Sequence, residues 1–245
     1  MKVFFFFILG SICWLQCQKP TPSTAQMVVD EAIASHGLNG FDRKQVAWDF
    51  RNKHYTATFQ RGKFRYEKEH RDSLQTVDVI TNDELFREQN GTMNLLTARD
   101  SNAIREGVNS VIYFSLLPHF LNDPAVIKAD AGKATLGGQP YDKVMVTFEQ
   151  QGGGRDFQDT FVYWFHEDKR TLDYLAYNYL DAEGGARFRK AINPVIQSGI
   201  RFQDYINYAP PTKRRDILNF DLLYEQDSLK ELSRIELKNI SVTLK

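Results

Sequence analysis

The chain has 245 residues, 31 Lys+Arg against 31 Asp+Glu for a formal net charge of +0, and 42% hydrophobic and 13% aromatic side chains. That balance argues against a nucleic-acid binder, which needs a basic stripe. Its only two cysteines, Cys13 and Cys17, sit close to the N-terminus, so no disulfide framework can staple the rest and one sizeable core must do so.

Lys2 precedes an apolar run from Val3 to Leu15. The run is shorter than the roughly 20 residues a membrane-spanning helix needs. It fits the apolar segment of an export signal, with Lys2 as its positive start. Two cleavage points compete: one just before Cys17, which then becomes a lipid-modified N-terminus, and one after Ser23-Thr24-Ala25. The first is preferred, giving a signal over 1–16, a tether over 17–24 with Pro20 and Pro22, and one domain over 25–245. Past Thr24 the sequence shows no linker and no internal repeat.

Ser23-Thr24-Ala25-Gln26 has the spacing of a capping box, followed by Val28, Val29, Ala32 and Ile33 at helical intervals, with Gly37 placed to end the helix. Period-two alternation then begins. Val46, Trp48 and Phe50 lead, Tyr55, Ala57 and Phe59 follow, then Phe64 with Tyr66 and Val77 with Val79. Asn52-Lys53, Arg61-Gly62 and Asn90-Gly91 read as hairpin turns, so an antiparallel meander with one buried face is expected.

A second helix is expected from Asp100 or Ser101 through Ile104, Val108, Val111 and Ile112. The run Val111 to Leu117 is apolar nearly all round, and a helix apolar on every side is normally buried on every side. It is expected to plug or cover the concave face of a curved sheet.

Strands resume with a hairpin about Gly137-Gly138 that carries Val144, Val146 and Phe148 on one face. Phe161 to Phe165 is apolar on both faces and is expected to be a central strand, with core on one side and a helix or ligand on the other. Leu172 to Leu180 returns, and 187–192 pairs with 200–208 about Ser198-Gly199. A short helix within 221–232 and a last strand over 234–244 complete the reading. The fold class is α+β: a large curved antiparallel sheet, an N-terminal helix and a buried apolar helix on its concave face.

Trp48, Phe50, Val111, Phe114, Leu117, Phe148, Tyr163 and Phe165 are candidates to line an apolar cavity, though they could equally pack on one another. Gly152-Gly153-Gly154-Arg155 can form an anion nest, with Gly153 and Arg155 as its candidates. Asp156 and Asp159 nearby could instead suit a hard cation, while a plain flexible connection needs neither. His166, beside Glu167 and Asp168, is a candidate at the polar rim, against the plainer reading of a solvated charged turn. There is no Gly-x-Ser-x-Gly elbow, His-Glu-x-x-His motif or P-loop, so no catalytic residue, metal site or cofactor is assigned.

Two passages resemble the LolA/LolB-type lipoprotein-carrier superfamily. Gly132 to Val144 is similar to its glycine-marked hairpin, and Val162 to Leu172 to its strand, charged turn and returning strand. Asn109 to Pro118, Gln151 to Asp156 and Gly199 to Tyr208 resemble an uncharacterised family of Bacteroidota lipoproteins, a domain of unknown function. The superfamily resemblance implies a half-open barrel whose hydrophobic concavity takes an acyl chain or a lipoprotein. The expected protein is a monomeric, non-enzymatic carrier, exported and tethered through Cys17 to a membrane, the outer one rather than the inner, facing the periplasm. An envelope hydrolase using the polar rim, or an assembly protein that binds a partner, are the alternatives.

Overall fold

The computed structural model describes residues 23–71, 74–154, 157–180, 184–212 and 216–245. Cys17, Arg155 and Asp156 lie outside the described residues. Helix α1 (Thr24–Ser35) begins where the Ser23 hydroxyl accepts a hydrogen bond from the Gln26 N–H at 3.2 Å. The capping box is only half made, because the Gln26 amide turns to Asp30 and Asn122 instead of back to Ser23. Val28, Val29, Ala32 and Ile33 are buried, as their helical spacing predicts.

The end of α1 is fixed by close backbone contact. A Cβ on Gly37, whose φ is +71°, would stand 1.8 Å from the Gly199 carbonyl oxygen, so only glycine fits there. Beside it the Arg201 N–H donates to the His36 carbonyl at 2.9 Å. The Leu172 N–H donates to His36 Nε2 at 3.1 Å. Burial lowers the His36 pKa to about 3, so the ring is a neutral acceptor.

The meander follows: β1 (Lys44–Phe50), β2 (Lys53–Gln60), β3 (Lys63–Arg71), β4 (Gln75–Thr81), β5 (Leu85–Gln89) and β6 (Thr92–Asn94). Helix α2 (Ala98–Ser115) comes next, then a 3₁₀ turn over His119–Asn122. The chain continues through β7 (Val126–Leu136), β8 (Gln139–Phe148), β9 (Phe161–His166), β10 (Leu172–Tyr179), β11 (Gly185–Gln197) and β12 (Ile200–Ala209). Helix α3 (Phe220–Glu225), β13 (Lys230–Ile235) and β14 (Lys238–Leu244) end it.

The fold class is α+β, and the antiparallel sheet is divided into two units of seven strands, ordered β14-β1-β2-β3-β4-β5-β6 and β13-β12-β11-β10-β9-β8-β7. The expected last strand over 234–244 is two strands. β13 is the edge of one sheet and β14 the edge of the other, and the chain crosses within two residues. The Leu237 N–H is held at the crossing by the Asp204 carboxylate, 2.8 Å away. Edge strands bury little on either face, so this break left no periodic signal in the sequence.

The main core joins both sheets and both long helices. Val46, Trp48, Tyr55, Ala57 and Ile80 from the first sheet share it with Val144, Phe161, Tyr163, Phe165 and Leu175 from the second. Every residue of β9 is buried, which explains its doubly apolar pattern. Phe161, Tyr163 and Phe165 face this core, whereas Val162 and Trp164 face a second one that Ile217 and Phe220 of the α3 region close. The Lys143 ammonium ties that cover down, donating to the Leu218 carbonyl at 2.7 Å and to Asp221 at 3.2 Å.

Helix α2 starts earlier than expected. Thr97, not Asp100 or Ser101, is the cap, its hydroxyl accepting from the Asp100 N–H at 3.1 Å. Its first turns are amphipathic: Ile104, Val108 and Ile112 are buried, while Arg105, Glu106, Asn109 and Ser110 face solvent. Within Val111 to Leu117 every side chain is buried or half-buried, but the helix stops at Ser115 and the run bends away beyond it. Beneath α2 lies a buried ionic triad. Asp78, 0% exposed, accepts from both nitrogens of the Arg87 fork at 2.6 and 3.0 Å and pairs with Lys68 at 2.7 Å. Gly107 of α2 leaves room for the Lys68 ammonium; a Cβ there would approach it at 3.7 Å.

Candidate functional site

The end of α2 carries the most unusual group of side chains in the chain. Alternation along β9 turns Phe161 toward the main core, and five aromatic rings gather around it. Tyr177 stacks on it at 5.4 Å, Phe148 meets it edge-on at 5.7 Å, Tyr113 and Tyr163 lie at 5.9 Å and Phe114 at 6.3 Å. Tyr113, Phe114, Phe148 and Tyr177 keep partial exposure, so the core reaches the surface here. The glycine loop closes one side of the group. A Cβ on Gly153 would stand 2.2 Å from the Glu149 carbonyl and 3.0 Å from Phe148 Cβ, so that loop presses its backbone onto the aromatic rim.

A cation sits inside this group. Arg189 on β11 is only 8% exposed, and its guanidinium lies 3.7 Å from the centroid of the Phe114 ring. It donates from Nη2 to the Tyr177 hydroxyl at 3.0 Å, while its Nε–H is buried with no acceptor. The nearby phenols stay neutral: burial raises Tyr163 far above the ordinary tyrosine range and Tyr205 to about 12. The Tyr113 and Tyr163 hydroxyls satisfy each other at 2.8 Å. Among the described residues no carboxylate forms an ion pair with Arg189.

The aromatic candidates divide. Phe114, Phe148 and Tyr163 belong to the Phe161 group, and Val111 lies a turn before Phe114 on α2. Trp48 stacks on Tyr55 at 6.1 Å, and Phe50 lies 6.5 Å from the same ring, so these two sit in the first-sheet part of the main core and outside the Phe161 ring group. Leu117 and Phe165 are enclosed in the core, 3% and 0% exposed.

Among the described residues the polar candidates Gly153, Asp159 and His166 do not converge. Gly153 and Asp159 precede β9 and His166 ends it, so the length of a strand separates them. His166 is buried rather than solvated. Its Nδ1 accepts from the Asp168 and Lys169 N–H groups at 3.2 and 3.3 Å and so shapes the turn, and its Nε2 has no partner. Among the described residues no group of three or more His, Cys, Asp or Glu side chains is placed to hold a metal ion.

Phe161, Tyr113, Tyr177 and Arg189 were not singled out from sequence. Tyr177 carried a strand alternation that could have found it, whereas Phe161 opens a run apolar on both faces that does not say which side it takes. Arg189 carried the opposite signal, since its neighbour Phe188 looks like the inward residue and is in fact buried on the second core. Two open hollows lie on the described surface. One, of about 550 Å³, is lined by polar residues from Asp49 to His54 with Glu69 and His70. The other, of about 200 Å³, lies among Tyr179, Arg187 and Pro210, at the ends of β10, β11 and β12.

Comparison with known proteins places these features in context. A family model described as a family of unknown function, DUF6503, matches residues 2–237. No curated protein matches the chain in sequence. Among solved structures, a DUF1329 family protein from Desulfovibrio piger is similar with a TM-score of 0.42 at 8% identity, covering 90% of this chain and 93% of that one. The lipoprotein LppX of Mycobacterium tuberculosis is similar with a TM-score of 0.28 at 11% identity, covering 62% and 88%. The MucA/MucB complex of Pseudomonas aeruginosa gives 0.28 at 10% identity, covering 86% and 64%.

Proposed function

The chain belongs to DUF6503, a family of unknown function, and within it we propose a non-catalytic cell-envelope protein that binds an acyl chain or similar apolar ligand at the Phe161 aromatic group. The observation that carries this reading is the surfacing of the core at Tyr113, Phe114, Phe148 and Tyr177. Aromatic rings of this kind bury large apolar area against a ligand. Each CH₂ buried contributes about 0.8 kcal/mol, so a chain of ten carbons supplies about 8 kcal/mol before the cost of association, and tight binding needs a longer chain or a further contact. The rings fill the space themselves, and binding therefore proceeds by displacing the last turn of α2.

The apolar leader supports export, and Cys17 is the proposed lipid attachment that holds the domain at a membrane, the outer one rather than the inner, facing the periplasm as in Bacteroidota lipoproteins. A monomer acting as carrier or chaperone for a lipid or lipoprotein fits this placement. A hydrolase that joins His166 to Asp159 is disfavoured, because the two stand at opposite ends of β9, while the Asp156/Asp159 pairing falls partly outside the described residues.

The test is a titration of delipidated protein with the fluorescent apolar probe N-phenyl-1-naphthylamine, with dodecanol as competitor. One saturable site, weakened at least tenfold by Phe161→Ser in a variant that still unfolds cooperatively, is the expected result. No saturable binding by the folded wild type counts against the reading.

A further inference from the structure

The uncompensated cation in the aromatic group has a chemical consequence. A guanidinium carries five donors in a rigid fork. Arg189 uses one of them on the Tyr177 hydroxyl, covers its face with Phe114, and leaves Nε–H buried without an acceptor. Burying a charge is costly unless it is paired. Among the described residues the surroundings offer no internal anion. Asp173 is engaged by the Tyr141 hydroxyl at 3.2 Å and by Arg201 at 3.7 Å, and the nearby phenols are neutral.

Asn207 lies directly across from Arg189 in the β11–β12 register, on the same face of the sheet. Its Oδ1 is likewise buried without a partner, while its NH₂ donates to the Ser233 hydroxyl at 3.4 Å; with the amide turned over, that hydroxyl donates to Oδ1 and the NH₂ donors face the space instead. An unused donor of Arg189 and an unused acceptor of Asn207 therefore adjoin one another at the inner end of an apolar site. Arg187, two residues along the same strand, lies 5.1 Å from the Tyr179 ring and lines the hollow that opens beside Pro210.

We infer that Arg189 and Asn207 form the head-group subsite for an anionic amphiphile, a carboxylate or phosphate on an apolar chain, whose tail lies against Phe161, Phe148 and Tyr177. This rests on the proposed function and specifies the ligand class of the same site. An oxyanion accepts from the Arg189 Nε–H and from its Nη donors in the side-on geometry that guanidinium favours. Phe114, which covers the guanidinium, moves aside and uncovers it. The ligand's charge then neutralises a cation whose burial is otherwise uncompensated.

Isothermal titration of delipidated protein with dodecanoate, dodecyl phosphate and dodecanol tests this, with inorganic phosphate as the head group alone. Both anions are expected to bind the wild type roughly ten- to a hundredfold more tightly than the alcohol, as fits hydrogen bonds to a charged group. The preferred anion identifies the head group. Arg189→Met should abolish the preference for anion over alcohol, and Arg189→Lys should keep part of it. Equal binding of anion and alcohol by the wild type, or a preference that survives Arg189→Met, overturns the inference but leaves the apolar site standing. Failure of all three amphiphiles to bind overturns both. Should Arg189→Met not fold, the wild-type comparison alone decides.

Discussion

Two histidines, His36 buried and His119 half-buried, set how this protein responds to acid. Burial lowers His36 to about 3 and His119 to about 4, from an ordinary value of 6.5. His119 is packed among Phe41, Phe59 and Phe120, with ring centroids 4.8 to 5.1 Å away. A base whose folded pKa is depressed contributes its full stability above the unfolded value, and that contribution is lost as pH falls from 6.5 toward the folded value. At pH 5 each should have cost roughly 2 kcal/mol relative to pH 8. Urea midpoints should fall over that range, and His119→Leu should flatten the fall; an unchanged midpoint speaks against this account. Asp78 makes a second prediction. Burial pushes its carboxyl up, but the hydrogen bonds from Arg87 and Lys68 outweigh that and hold it below the usual carboxylate range. Asp78→Asn leaves two cations against each other under α2 and should cost about 3 kcal/mol. Replacing all three with Lys68→Met, Asp78→Leu and Arg87→Met should recover most of it, because no buried charge then remains. Equal losses in the single and triple variants argue against the triad as an electrostatic unit. None of these buried polar groups was legible from sequence, where a charged residue in an alternating strand reads as solvent-facing.

At the scale of elements, the most sensitive join is that between the end of α1 and the β11–β12 hairpin. Gly37→Ala puts a methyl carbon into the Gly199 carbonyl at a positive φ, so a loss of roughly 3 kcal/mol or more is expected by denaturant unfolding, while Gly40→Ala, with open space around it, should cost much less. A similar loss for both would mean that φ alone, not the close approach, decides. Helix α2 makes a functional prediction. Phe114→Ala removes the ring that covers Arg189, so dodecanoate should associate faster in stopped-flow fluorescence, where slower association would deny Phe114 a covering role. The elements themselves were largely readable. The Arg61-Gly62, Asn90-Gly91 and Gly137-Gly138 turns all connect paired strands, and α1 spans the residues its cap and stripe indicated. β9 was readable in kind, because six consecutive buried side chains leave no alternation and require cover on both faces. The end of α2 was harder: Val111 to Leu117 is apolar as a run, yet helix termination at Ser115 decides which of its rings faces Phe161.

For the whole molecule, the antiparallel α+β architecture followed from period-two alternation, but the division into two sheets did not. It depends on long-range pairing of β1 with β14, where Lys44 meets Leu244 across the length of the chain, and hairpin periodicity says nothing about such a partner. The same division explains why the aromatic candidates separated. Trp48 and Phe50 went to one sheet, whereas Phe148 and Tyr163 went to the other and met α2 there. The central claim is that the aromatic group at the end of α2 is where ligand enters. Photolabelling of the folded, delipidated protein with a diazirine-bearing dodecanoate, followed by peptide mapping, tests it most directly. Label is expected on the peptides containing Phe114, Phe148, Phe161 and Tyr177, competed by dodecanoate. Competable label concentrated instead on β1 and β2 around Trp48, or no competable label at all, would contradict it.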